Sequence, residues 1–281
     1  MTTPYQQQPP YQQGGYQQPS YTSTIPVRRA HLGDALASEW TKIRSVRSTI
    51  WTLGVMVVLM IGIGVLSAVA VSASGADLGD ESALGLGFFG VLLGSICVIT
   101  LGVLTISSEY GTGMIRTTLT ACPSRGRVLA AKSIVFFLLV FVLTTVITTL
   151  VGMIQTSMVD SGTSSGEDWF RATVGVGLYV ATLGLLSLAV GSLLRHSAGA
   201  ITIMIGVVLL PLVLAMFMFA ESLQDLRQAL FEYSIPSQMG VLYNTAVADS
   251  GPSGWDPLWI MLGVTAVALA GAFLALGKRD V

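Results

Sequence analysis

The sequence predicts an all-α integral membrane protein, with six transmembrane helices preceded by an amphipathic interfacial helix. Composition gives the first reason. Of 281 residues, 52% are hydrophobic and 10% charged, with a mean hydropathy of +0.73. Soluble domains carry about 25% charged residues, so this chain has too few to cover a water-facing surface of its size. The second reason is six apolar stretches, Ser48–Ala73, Leu84–Ser107, Ser133–Met158, Ala172–Leu194, Ala198–Ala220 and Leu258–Gly277, each at least 20 residues long without Asp, Glu, Lys or Arg. At about 1.5 Å per residue, 20 residues cross a hydrocarbon core of roughly 30 Å. Inside lipid the backbone has to satisfy its own hydrogen bonds, which makes such stretches helices.

Charge asymmetry is the third reason, and it sets the orientation. With the amino terminus on the cytoplasmic side, 12 of the 14 basic residues fall on inner segments and only Arg171 and Arg227 lie outside. Lys and Arg bias fixes topology, so both termini are expected in the cytoplasm and the body in the plasma membrane. Eleven acidic residues, from Asp77 to Asp256, collect on the outer loops.

Three regions follow along the chain. Residues 1–26 are uncharged, repeat Tyr-Gln-Gln at Tyr5, Tyr11 and Tyr16, and are interleaved with Pro and Gly. A segment this poor in aliphatic residues cannot offset its ordering entropy, which predicts a disordered cytoplasmic tail and no signal peptide. Residues 27–48 form the interfacial segment. Between His31 and Ile50, Leu32, Leu36, Trp40, Ile43, Val46 and Ile50 recur every three or four residues, while Lys42, Arg44 and Arg47 take other faces. That pattern suits a helix lying at headgroup level, either as a plain anchor or as a partner contact. Residues 49–281 form the six-span body.

Two connections are long: an inner loop over 108–132 and an outer segment over 221–257. Loops beyond about 15 residues tend to be functional or disordered, and neither has a disordered composition. In the outer segment Leu223, Leu226 and Leu230 would line one face of a short helix before Ile235-Pro236.

The spans contain no carboxylate, Lys, Arg or His side chain, and His31 and His196 flank the membrane. Intramembrane metalloprotease chemistry and carboxylate-based ion coupling are thereby excluded. Span serines and threonines have no base to activate them. Cys97 and Cys122 stand apart, in a span and a loop, without the neighbours of a metal site. Gly271 to Lys278 faintly echoes a phosphate-binding loop, but the spacing is one residue too long and Arg279 occupies the Ser/Thr position. No catalytic, metal or cofactor-binding residue is expected in this chain.

Small residues in register are what the spans do offer. Gly90 and Gly94 form a Gly-x-x-x-Gly pair, and Gly177, Gly184 and Gly191 recur every seven residues. Thr145, Thr149, Gly152 and Thr156 share a face of the third span. Such faces permit close helix approach, and the threonine stripe is open to either packing or a polar conduit. Pro211 is expected to kink the fifth span, beside the adaptable Met216 and Met218.

An uncharged bundle is compatible with a scaffold, a channel-like pore, or the moving part of a machine powered elsewhere. The inner loop favours the last. It runs Glu109-Tyr110-Gly111-Thr112-Gly113-Met114-Ile115-Arg116, then Leu119, then Pro123-Ser124-Arg125, and closes at Lys132. With Glu39-Trp40-x-Lys42-x-Arg44 upstream, this resembles the membrane subunits of ABC-2 type bacterial transporters. The resemblance implies an ABC-2 type transmembrane domain whose inner loop forms a coupling helix on a separate ABC ATPase subunit. It implies contact through Glu109, Tyr110, Gly113, Met114, Ile115, Arg116, Leu119 and Arg125. It further implies ATP and Mg in that partner, a second permease copy or homologue, and export of a hydrophobic or amphiphilic substrate. No nucleic-acid partner is implied. A loop that merely enforces topology is the alternative.

Overall fold

The computed structural model describes residues 31–76, 78–79, 81–122, 124–245 and 250–278. The Gln-rich tail expected over 1–26 lies outside them. Among the described residues the structure is all helical, with six helices long and apolar enough to cross a membrane.

Helix α1, Leu32–Ser45, opens with a reciprocal cap between His31 and Asp34 and ends at Val46, whose extended backbone (ψ 112°) separates it from α2, Arg47–Ser74. A short 3-10 turn, Ala83–Gly87, leads into α3, Phe88–Gly111. Gly113, at φ 72°, starts α4, Met114–Ala121. That left-handed conformation carries a steric penalty for residues with a side chain, and it lets the chain turn sharply out of α3. Ser124 then caps α5, Arg125–Met158. The fourth span is composite: α6, Gly166–Phe170, passes through a π-turn at Arg171–Gly175 into α7, Val176–Leu194. A two-residue link joins it to α8, Ser197–Phe217, which runs unbroken through Pro211.

The outer segment folds into a compact cap. Helix α9, Gln224–Glu232, leaves Leu223 and Leu226 exposed, whereas α10, Ile235–Leu242, is buried along nearly its whole length. Its Gln238 accepts a bond from the Tyr179 hydroxyl of α7 (3.4 Å). Helix α11, Asp256–Lys278, completes the bundle.

Helix α7 is the axis of the fold. In its most apolar window 78% of residues are buried, against 22% in α2, α8 and α11. It packs on α3, α5, α8 and α11, while α3 and α5 make only a small direct contact with each other. Glycine allows this proximity. A Cβ built on Gly184 would stand 2.7 Å from Phe136 of α5 and 2.8 Å from Val98 of α3, and one on Gly102 would stand 2.5 Å from the Gly184 carbonyl. Gly177 faces Thr145 and Phe141 of α5, and Gly191 faces Val103 of α3. Gly90 and Gly94 seat α3 on Met60 of α2. Two threonines of the stripe expected on α5 point their hydroxyls back to their own helix, Thr149 to the Thr145 carbonyl (2.7 Å) and Thr156 to that of Gly152 (2.9 Å). The buried Thr145 hydroxyl, by contrast, has no hydrogen-bond partner among the described residues and faces Gly177 of α7.

Polar links between spans are few and specific. Gln155 of α5 donates to the Gly64 carbonyl of α2 (2.9 Å), and Thr265 of α11 donates to the Thr182 carbonyl of α7 (3.3 Å). Both cysteines are free thiols.

Overpacking a helix contact of this kind costs about 1–3 kcal/mol. Gly184→Val is therefore expected to lower the thermal unfolding midpoint of the detergent-purified protein. Gly206→Ala, at a position open to its surroundings, should leave the midpoint unchanged or slightly raised.

Candidate functional site: a charged joint beneath the inner loop

The helices overrun the apolar stretches at their inner ends, and this builds the site. α3 continues to Gly111, which carries Glu109 on its last turns. α5 begins at Arg125, which places Lys132 two turns inside it. Glu39 and Lys42 come from successive turns of α1, i and i+3. The four side chains meet at one point. Lys132 Nζ lies 2.7 Å from Glu39 Oε2 and 2.9 Å from Glu109 Oε1. Lys42 Nζ lies 2.8 Å from Glu39 Oε1 and 2.8 Å from Glu109 Oε1. Both lysines therefore bridge both glutamates, and the cluster is neutral. Three of its members are buried, Lys132 at 2% exposed, Glu39 at 5% and Glu109 at 6%, while the Lys42 side chain keeps 27% of its surface exposed.

Lys42 extends the cluster to the inner loop itself, donating to Thr118 Oγ1 of α4 at 3.5 Å. Burial alone would lower the pKa of Lys42. Hydrogen bonds and charges from Glu109 and Glu39 outweigh that and raise it above its ordinary 10.5. A lysine whose folded pKa is raised gives its full stabilisation below about 10.4, the unfolded value, and loses it as pH climbs through the folded value. Lys42 thus keeps its charge across the neutral range. The cluster borders a cavity of about 340 Å³ between α1, α2 and α3, walled by Ser48, Thr52, Thr105, Ser108 and Leu101.

Two further ties anchor the loop. The Arg195 guanidinium, just past α7, sits 4.8 Å from the Tyr110 ring centroid, a cation–π contact. Arg125 donates to the Leu276 carbonyl in the last turn of α11 (3.0 Å), satisfying an acceptor that a helix end otherwise leaves open. The inner loop is thereby pinned to α1, α5, α7 and α11.

The structure thus sorts the residues that the sequence groups together. Glu109 and Arg125 are turned into the protein, Tyr110 lies half-buried under Arg195, and Ile115 is 4% exposed. Leu119 is half-buried. Gly113 supplies the turn. Arg116, Thr117 and Thr120 form the outward face of α4, and Met114, 50% exposed, stands at its edge where it also borders the cavity. On α1, Trp40, Arg44 and Arg47 are exposed, whereas Lys42 faces inward. Glu39 and Lys132 stand in the motifs that the sequence offers, but neither is among the contact residues the resemblance implies; the structure brings both into the joint. Among the described residues, no group of three or more His, Cys, Asp or Glu side chains could hold a metal ion.

Six long apolar helices, with an ionic joint at one end of the bundle, define a multi-pass membrane protein. The chain matches the family model described as ABC-2 family transporter protein over residues 76–281, and it belongs to that family. As such it is a membrane component of a transporter and not itself the ATPase. No curated protein matches it. The family match begins beyond α2, so Glu39 and Lys42 enter the joint from outside the matched stretch.

Removing one member of a buried ion pair costs about 3–5 kcal/mol, because its partner is left uncompensated. Lys132→Met is expected to destabilise the purified protein by that order in thermal unfolding. Adding Glu39→Gln to Lys132→Met restores neutrality and should recover a measurable part of the loss. Additive effects of the two substitutions would contradict the coupling.

Proposed function

We propose that this chain is the permease subunit of an ABC exporter, moved by a separate ATPase subunit that docks on α4. The observation that carries the reading is the buried joint of Glu39, Lys42, Glu109 and Lys132. A loop that only fixes topology has no need of a four-charge lock, three of its members buried, at its root. Breaking such a lock leaves unpaired charge in a low-dielectric site, so its members move together. Displacement of α4 by a partner therefore reaches α3 through the chain, α1 through Lys42 and Glu39, and α5 through Lys132. Tyr110 with Arg195, and Arg125 with Leu276, carry it to α7 and α11.

Under this reading the two faces of the inner loop divide the work. Met114 and Arg116 present an apolar knob and a cation to the ATPase, and the inward residues transmit its motion. ATP and Mg belong to the partner, and the cycle is alternating access by rigid-body movement. Two permease copies or homologues enclose the pathway, since a single six-helix bundle packed around α7 encloses little. The apolar lining suits a hydrophobic or amphiphilic substrate. Both termini lie in the cytoplasm and the body lies in the plasma membrane.

Docking and transmission separate experimentally. Met114→Asp with Arg116→Glu should abolish co-purification of the ATPase while leaving the permease's unfolding midpoint unchanged. Lys132→Met with Glu39→Gln should keep co-purification but lose at least about tenfold in transport per ATP hydrolysed. A scaffold would tolerate both pairs of substitutions. A channel-like pore would conduct in vesicles without nucleotide. Either result overturns the proposal.

A further inference from the structure

Between α1 and α5 the protein leaves an apolar groove of about 690 Å³. Leu36, Ala37 and Trp40 form one wall; Ile134, Leu138 and Val142 form the other, and the stripe continues to Val146. These α5 residues are 40–54% exposed despite lying on a membrane-spanning helix. From Ile134 to Val146 the stripe rises about 18 Å at 1.5 Å per residue. One leaflet is roughly half of a 30 Å core, or about 15 Å, so the groove has the length of one acyl chain.

Its α1 end carries the second observation. Arg44 stands one turn beyond Trp40 and two beyond Ala37, on the face of α1 that lines the groove. Arg47 follows at the start of α2. Both are exposed, and among the described residues neither has a hydrogen-bond or ion-pair partner. The carboxylates nearest in sequence are already engaged, Glu39 with the two lysines and Asp34 with the His31 backbone. An apolar slot one leaflet deep, with one guanidinium on its own face of α1 and a second three residues further along the chain, neither held by a carboxylate among the described residues, fits a ligand with an acyl tail and a negative head.

We propose that the α1–α5 groove is a binding site for an anionic phospholipid, its chain along Ile134 to Val146 and its phosphate against Arg44 and Arg47. A second copy of this chain is a poorer occupant. A two-fold contact through this face would bring the same patch, with its arginines, against itself. The inference rests on the membrane-spanning character of α5 and not on the ATPase reading.

Trp40 lines the groove and reports on its occupant. The full-length protein is reconstituted in vesicles containing either dibrominated phosphatidylglycerol or dibrominated phosphatidylcholine at equal bromine content. The Trp40 signal is taken as the difference from Trp40→Phe. Quenching should favour the anionic lipid by roughly thirtyfold in apparent affinity, as expected for two basic residues at a headgroup. Arg44→Gln with Arg47→Gln should erase that preference, and Val142→Phe should weaken quenching by both lipids. Soluble glycerol phosphate should not compete. Equal quenching of the wild type by both lipids, or a preference that survives loss of both arginines, would refute the site. Displacement by glycerol phosphate would instead indicate a free-phosphate site. Efficient disulfide formation between copies of Val142→Cys would indicate a protein interface. Each of these would overturn the assignment.

Discussion

Four charges, three of them buried, hold the inner end of this bundle together. Lipid gives helices little reason to associate through apolar faces alone, so close packing and polar contacts do the work. In the middle of the membrane the protein relies on glycine contacts and a few hydroxyl and amide bonds. At its inner rim it uses two lysines shared between two glutamates. An arrangement of this kind has no soft intermediate: either all four partners stay together, or buried charge is left stranded. This all-or-none character makes α1, α3 and α5 behave as one body where the inner loop meets them.

The joint also divides the inner loop by facing. One side of α4 is committed to the protein through Ile115 and the Thr118 hydroxyl, the other leaves Arg116 to the surroundings, and the half-exposed Met114 stands at the edge between them. An isolated hydrophobic residue beside a cation on a short, pinned helix is suited to contact, not to packing. The segment α1 belongs functionally with this loop although some 65 residues separate them in the chain. The single extended residue Val46 detaches it from α2, so that it can lie across α5 and reach Glu109.

Most of the fold was legible in the sequence because hydrophobic length is a strong signal. The six apolar stretches agree with the helices to within a few residues at their outer ends. The inner ends were less legible. Charge marks where a stretch stops being apolar but not where a helix stops, and α3 and α5 continue past that point to place Glu109 and Lys132 inside helices. Each of the four joint residues looks like an ordinary surface charge when read alone. One local hint existed: apart from its neighbour Ser133, Lys132 sits in an apolar run from Val128 to Val135, and a lone lysine in such surroundings is costly without a partner. Glu39 gave no comparable hint, because on an amphipathic helix it reads as part of the wet face. The inward turn of Ile115 was equally hidden, since periodicity shows that a helix has two faces but not which one the protein claims.

The seven-residue spacing of Gly177, Gly184 and Gly191 has a geometric outcome. Two turns of an α-helix take 7.2 residues, so a strict heptad drifts by about 20° at each repeat. The glycines accordingly trace a slow spiral: the first meets α5, the second stands between α5 and α3, and the third meets α3. The fourth span therefore works as a threaded spacer between two helices that hardly touch. Its register is consequently intolerant of insertion or deletion, since one added residue between Gly184 and Gly191 would swing the last contact by about 100° and take α3 out of the thread.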